Sequence, residues 1–210
     1  MILQYKPFLQ KGKDLVLSSD FIKSGKKFKG HCKMLNHFKL ISHRINEGIR
    51  CFDPLHYEHA KALRVAVEKK YPFARALGII DNLVYEGHEI LLNVHSGEHY
   101  DRQDPKRAWA GMVALGYHRG GYLVLPELGV RIRLEPEDIV FIRGRMLRHF
   151  VEDWEGGQRI CIPHFTHSSI WRLMKMHDLV GLDEIPEDEE AVDEEWEEWE
   201  LEECESGERA

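Results

Sequence analysis

The feature that most constrains this chain lies after Gly87. Five short apolar runs follow one another, "HEILLNVHS", "GYLVLPEL", "VRIRLEP", "DIVFIRG" and "RICIPHFTH", separated by glycine, proline and acidic residues. Runs of this length, rich in Val, Ile and Leu and without long intervening helices, read as the strands of an antiparallel sandwich or barrel. A helix precedes them. Asp53 is placed as its N-cap, Pro54 as its first residue, and "LHYEHAKALRVAVEKKYP" runs to lysines and a proline stop. Tyr57, Ala60, Leu63, Val67 and Tyr71 share one helical face, which predicts packing on a core, with His56 and His59 on the helix surface. "SSIWRLMKMHDLV" reads as a closing helix capped by Ser168 or Ser169. The predicted class is therefore α+β.

The first fifty residues, with "KSGKKFKGHCK" at their centre, predict loops and short elements. Composition divides the chain further. The net charge of -7 is unevenly spread: residues 1–70 hold 15 basic against 6 acidic residues, a net +9, while residues 181–210 hold 16 acidic residues and one basic, Arg209. Three segments follow: a basic N-terminal segment, 1–52, packing on the core; a core with supporting helices, 53–180; and an acidic, disordered tail, 181–210, in which Trp196 and Trp199 interrupt the acidic run. The opening "MILQYKPFLQKGK" has lysines where a signal peptide needs an apolar run, and no stretch reaches the length of a membrane span. The expectation is a monomer inside the cell, nuclear or cytoplasmic. Cys32, Cys51, Cys161 and Cys204 are far apart, without a C-x-x-C pair, so reduced thiols are expected.

"LLNVHSGEHYDRQD", residues 91–104, carries the chemistry and admits two readings. His95-Ser96-Gly97-Glu98-His99 has the H-x-x-E-H spacing of a helical zinc protease. Gly97 costs about 1 kcal/mol in a helix interior, and "EILLNV" enters as a strand. His99-Tyr100-Asp101 on an extended chain instead puts both side chains on one side. Two ligands of a 2-His-1-carboxylate iron site result, and the third is a downstream histidine. His149 follows "EPEDIVFIRGRML", and Arg159 stands ten residues later at the head of "RICIPHF". A buried arginine beside such a metal suits the far carboxylate of a dicarboxylic cosubstrate, because its planar fork binds two oxygens. Asn93 lies on the strand entering the motif, facing the same side as His95.

At these residues, roughly 89–167, the sequence resembles the Fe(II)/2-oxoglutarate-dependent dioxygenases. "RGGYLVLPELG" is similar to their glycine pair opening a strand, and "LEPEDIVFI" to the turn before the distal histidine. "NVHSGEHYDRQD", "GGYLVLPELG" and "RICIPHFTH" look most like the TET/JBP group, in particular its compact fungal relatives, which includes oxidases of 5-methylcytosine and thymine in DNA. The resemblance implies a double-stranded β-helix, a jelly-roll or cupin-like barrel. It implies Fe(II) on His99, Asp101 and His149, 2-oxoglutarate on Arg159 with Asn93 touching it, and O2 as co-reactant. The implied activity is oxidation of a C–H bond, the methyl group of 5-methylcytosine first and a protein side chain or small metabolite second. A binding module without turnover is the reading that the full ligand set counts against. DNA would be met through the basic N-terminal segment. The sequence departs from the family at Glu137, where the turn usually has Gly, and at Cys161, where many members have Ser.

Overall fold

The computed structural model describes residues 2–5, 7–9, 14–17 and 24–182. The expected acidic tail lies outside them apart from Gly181 and Leu182, as do Trp196, Trp199 and Cys204. In chain order the elements are β1 (Ile2–Tyr5), β2 (Pro7–Leu9), β3 (Leu15–Leu17), α1 (Gly25–Phe52), α2 (Pro54–Lys70), α3 (Pro72–Ile80), β4 (Gly87–Leu92), β5 (Ala110–Gly120), β6 (Leu123–Leu125), β7 (Val130–Ile132), β8 (Ile139–Ile142), β9 (Phe150–Val151), β10 (Trp154–Phe165) and α4 (Ser168–Leu173). A five-stranded antiparallel sheet in the order β1-β4-β10-β5-β8 faces a three-stranded one, β7-β6-β9. Met112, Ile142 and Cys161 of the large sheet meet Leu123 of the small one between them, with Leu91, Ile132 and Val151 around the edge. This is the α+β barrel that the sequence predicts, and no helix of the described residues is long and apolar enough to cross a membrane.

The outer face of the large sheet is covered by helices. Ile45 and Ile49 of α1 and Ala60 of α2 pack with Leu83, Val84 and Tyr85 against Ile139 and Phe141. Each fully buried aliphatic side chain here stabilises the packing by roughly 1.5–3 kcal/mol. Gly48 lets α1 approach the sheet, since a Cβ there would stand 2.8 Å from the Phe141 ring. The start of α2 follows the sequence expectation: Asp53 accepts the His56 N–H at 3.0 Å and Pro54 opens the helix. Ala60, Leu63, Val67 and Tyr71 are buried along its face.

Four expectations are corrected. The loops and short elements expected in the first fifty residues are in large part the 28-residue helix α1. Its buried stripe mixes Leu35, Ile45 and Ile49 with Ser42 and Asn46, so it does not read as apolar. The polar pair is satisfied locally: Ser42 donates to Asp81 Oδ2 at 2.9 Å, and Asn46 bonds Asn82 O and the Val84 N–H. His56 is buried, not on the surface. The closing helix stops at Leu173, and its cap position is His167 without a side-chain cap bond; Ser168 is already inside, its N–H on Gln103 O. Strand β5 went unpredicted because "AGMVALGYHRG" is rich in glycine and alanine, yet it pairs with both β10 and β8.

Glu137 has φ +78°, a conformation that side chains with a Cβ adopt at a cost. Its N–H bonds Ala114 O at 2.7 Å, which holds the turn onto β5. Glu137→Gly should relieve the strain and raise the thermal midpoint by about 2–4 °C, for a gain of about 1 kcal/mol; a lower midpoint in calorimetry would contradict this.

Burial holds three imidazoles well below the ordinary histidine range: His56 and His164 at about 4, His88 at about 3. The unfolded chain takes up these protons near 6.5 while the native state refuses them, so stability falls as pH drops from 6.5 toward 4. Each such histidine contributes about 1.4 kcal/mol per pH unit in that window. Glu86, pushed up to about 7 by burial, works in the opposite direction below pH 7 and offsets one of the three. The urea midpoint should therefore be lower at pH 5 than at pH 7, and His56→Gln should narrow the gap; equal midpoints for the parent protein would refute the account.

Candidate metal and anion site

His99 and His149 are brought together by the backbone. Each donates its N–H to the other's carbonyl, at 3.0 and 2.9 Å, in an isolated antiparallel bridge. Their rings lie 4.3 Å apart. Two residues on, Asp101 returns to the same side and its N–H bonds Gly144 O at 3.0 Å. A Cβ at Gly144 would overlap the Asp101 carboxylate, so the loop before His149 passes that close only as glycine. Asp101 Oδ1 is 3.6 Å from His99 Nε2 and 3.8 Å from His149 Nε2. One ligand atom from each of the three lies within 4.8 Å of the others.

The histidine tautomers suit a metal. His99 Nδ1 is 2.7 Å from Gly97 O, and His149 Nδ1 is 2.9 Å from Leu147 O. A carbonyl only accepts, so both Nδ1 atoms carry the proton and both Nε2 lone pairs face Asp101. This tautomer assignment follows from the hydrogen bonds. Outer partners of this kind fix ring orientation in metal sites. Burial, reinforced by the nearby Asp104, pushes the Asp101 carboxyl above its ordinary range, and His149 and His99 oppose it. His149 is 4% exposed, whereas the His99 side chain is 42% exposed, so the cluster opens to solvent on one side.

The zinc-protease spacing plays no part. Residues 95–99 are not helical. Glu98 pairs with Arg148 at 2.9 Å, and His95 stacks on Trp154 at 4.0 Å.

Arg159 is 3% exposed, on β10 opposite Gly116. Its guanidinium lies 5.3 Å from the Trp154 ring. Gly121, at φ +69°, leaves it room: a Cβ there would stand 3.1 Å from Nε. Arg159 Nε and Nη2 are buried without a hydrogen-bond partner among the described residues. An unsatisfied buried charge is costly, and a carboxylate is the natural partner for such a fork. Cys161, next on this face, belongs to the apolar core, and burial pushes its thiol up.

Asn93 is not on a strand facing the same way as His95. It follows the end of β4 at φ +54°. Its N–H donates to Arg159 O and its Oδ1 accepts the Arg159 N–H, both at 2.8 Å. It thus clamps the backbone of the arginine. A further pair, not among the candidates read from the sequence, stands beside the cluster. His167 Nδ1 is 3.1 Å from Asp104 Oδ1, its ring is 4.6 Å from Phe165, and its Nε2 is buried without a partner among the described residues. The signal was local: Asp104 lies three residues after Asp101, and its N–H bonds Asp101 O. At the rim, Tyr100, Arg102 and Arg145 line an open recess.

No family model matches the chain, and no curated protein matches it. Solved structures do. The structure of NgTET1 in complex with 5mC DNA aligns over 78% of this chain and 60% of its own, at 18% identity and a TM-score of 0.56. This chain therefore spans about three-fifths of the length of that protein. Alignments to the viral collagen prolyl hydroxylase of Paramecium Bursaria Chlorella virus-1 and to a 2OG-Fe(II) oxygenase family oxidoreductase of Burkholderia pseudomallei, each at 20% identity, cover 39% of this chain and 57% and 41% of theirs; at TM-scores of 0.33 they carry no argument. What the comparisons establish is the fold: this chain shares that of NgTET1.

Proposed function

We propose that the protein is an Fe(II)- and 2-oxoglutarate-dependent dioxygenase whose favoured substrate is the methyl group of 5-methylcytosine in DNA. The observation that carries the reading is the convergence of His99 Nε2, His149 Nε2 and an Asp101 oxygen within 4.8 Å, with both Nδ1 atoms occupied. Two neutral imidazoles and one carboxylate on one side of an ion are the donor set of non-haem Fe(II) oxygenases. Iron with 2-oxoglutarate supplies the activation of dioxygen that C–H hydroxylation requires. The remaining work falls to the chain. Arg159 holds the far carboxylate, and Asn93 keeps the Arg159 backbone in place. Gly144 leaves the space into which Asp101 projects. The Asp104–His167 pair offers an unsatisfied nitrogen to a polar substrate edge beside the metal.

Two observations support DNA as the substrate. The fold is shared with a protein solved on 5mC DNA. The recess of Tyr100, Arg102 and Arg145, with Lys106 exposed nearby in sequence, sets cations beside the metal cluster, where phosphates flanking a flipped base would pass. The lysine-rich start of α1 is farther off. At 1.5 Å per residue the 28-residue helix puts Lys26 about 40 Å from Asp53, whose carboxylate is 3.7 Å from Arg143 at the metal loop.

His99→Ala and Asp101→Ala should each abolish 2-oxoglutarate turnover while the thermal transition persists. Gly144→Ala should lower Fe(II) affinity at least tenfold by displacing Asp101. Full succinate formation in either ligand variant would remove the metal assignment.

Incubation with a methylated duplex should yield succinate and an oxidised base. Arg102→Gln with Arg145→Gln should reduce the slope of log affinity against log salt by about 1.8, at roughly 0.9 per phosphate contact. Neutralising Lys26, Lys27 and Lys29 should change it less. Turnover supported by a peptide or metabolite and not by any duplex would replace the DNA reading with a hydroxylase of those substrates.

A further inference from the structure

Arg159 and Gly116 are register partners on β10 and β5, and cross-strand partners present to the same face. That face is the barrel interior, since Met112, earlier on β5, and Cys161, next on β10, lie in the core between the sheets. Two residues beyond Gly116, His118 returns to it. His118 is 8% exposed, while Tyr117 before it is 87% exposed and Arg119 after it is also exposed. Opposite, the ladder shifts between Gly156 and Arg159, where Gly156 partners His118. His118 is thus the neighbour of Arg159 on the interior face of the adjoining strand.

Neither ring nitrogen of His118 has a hydrogen-bond partner among the described residues. The Gly120 backbone lies near enough to favour a charged ring, at a geometry short of a hydrogen bond. Burial, and then the charge of Arg159, hold the imidazole below its ordinary range. At neutral pH it is a neutral ring with one N–H to donate. Nε and Nη2 of Arg159 are equally unpartnered. Buried polar atoms are nearly always bonded, and leaving one unsatisfied is costly. Arg159 Nε and Nη2 and the one N–H of His118 are thus three donors without an acceptor on adjoining positions of one interior face, and an acceptor-only group between them would satisfy all three.

We propose that His118 is a second residue of the cosubstrate site, donating a hydrogen bond to the same distal carboxylate that Arg159 holds. This rests on the 2-oxoglutarate reading above. A carboxylate has lone pairs for both donors. His118 sets the position of the anion and takes no part in the chemistry at the metal.

The test is calorimetric titration of 2-oxoglutarate into the full-length protein loaded with Mn(II), which needs no turnover. His118→Leu should weaken binding about tenfold or more, as expected for loss of a hydrogen bond to a charged group. His118→Asn, which keeps a donor, should recover most of that loss, and Arg159→Ala should weaken binding further than either. Wild-type affinity in His118→Leu, with loss in Arg159→Ala, overturns the role of His118 and leaves the cosubstrate reading standing. Failure of the parent protein to bind 2-oxoglutarate overturns both. Should His118→Leu not fold, the imidazole resonances of His118 in the parent protein decide the matter. A shift on saturation with 2-oxoglutarate supports the assignment, and unchanged resonances overturn it.

Discussion

The reciprocal backbone bond between His99 and His149 is the constraint on which the site depends. It joins two segments fifty residues apart and belongs to neither sheet. Because it is made by main-chain atoms, it places both Cβ atoms before any metal arrives, and the carbonyls of Gly97 and Leu147 then turn both rings. Asp101 is held the same way, by Gly144 O. All three side chains are thus positioned by backbone geometry.

The large sheet serves two neighbours. Its inner face carries Met112, Cys161 and Arg159, an apolar core ending in a buried cation. Its outer face is sealed by α1 and α2 through Ile45, Ile49 and Ala60. The same helices reach toward the site. Asp53, which caps α2, also accepts the Trp109 indole N–H at 2.9 Å, and Arg143 lies 4.4 Å from that indole ring. A chain of contacts therefore runs from the helix junction to the loop that holds Asp101. The cluster opens to solvent at the exposed His99, next in sequence to Tyr100, which with Arg102 and Arg145 lines the open recess.

Two departures noted in the sequence have different consequences. Glu137 occupies a left-handed position, so the usual glycine answers a backbone requirement that this chain meets under strain. Cys161 sits in the apolar core beside Met112 and Ile142, where a thiol is accommodated as a small hydrophobe. Neither departure touches His99, Asp101 or His149.

What the sequence by itself determined was local. The run of short strands, the Asp53–Pro54 helix start and the H-x-D alternation each follow from periodicity or capping within a few residues. The pairing of His99 with His149 and the burial of Arg159 were legible only as spacing along the chain, through a family likeness. The tertiary structure alone decided the rest. Helix α1 was hidden because its stripe includes Ser42 and Asn46, whose partners at Asp81, Asn82 and Val84 are about forty residues away. Asn93 read as a strand residue because its positive φ arises only when β10 offers the Arg159 backbone. His118 carried no signal at all, since nothing within "ALGYHRGG" tells that its ring turns inward beside an arginine forty-one residues later. Long-range pairing of strands creates these environments, and a single strand's own alternation does not specify what it will face.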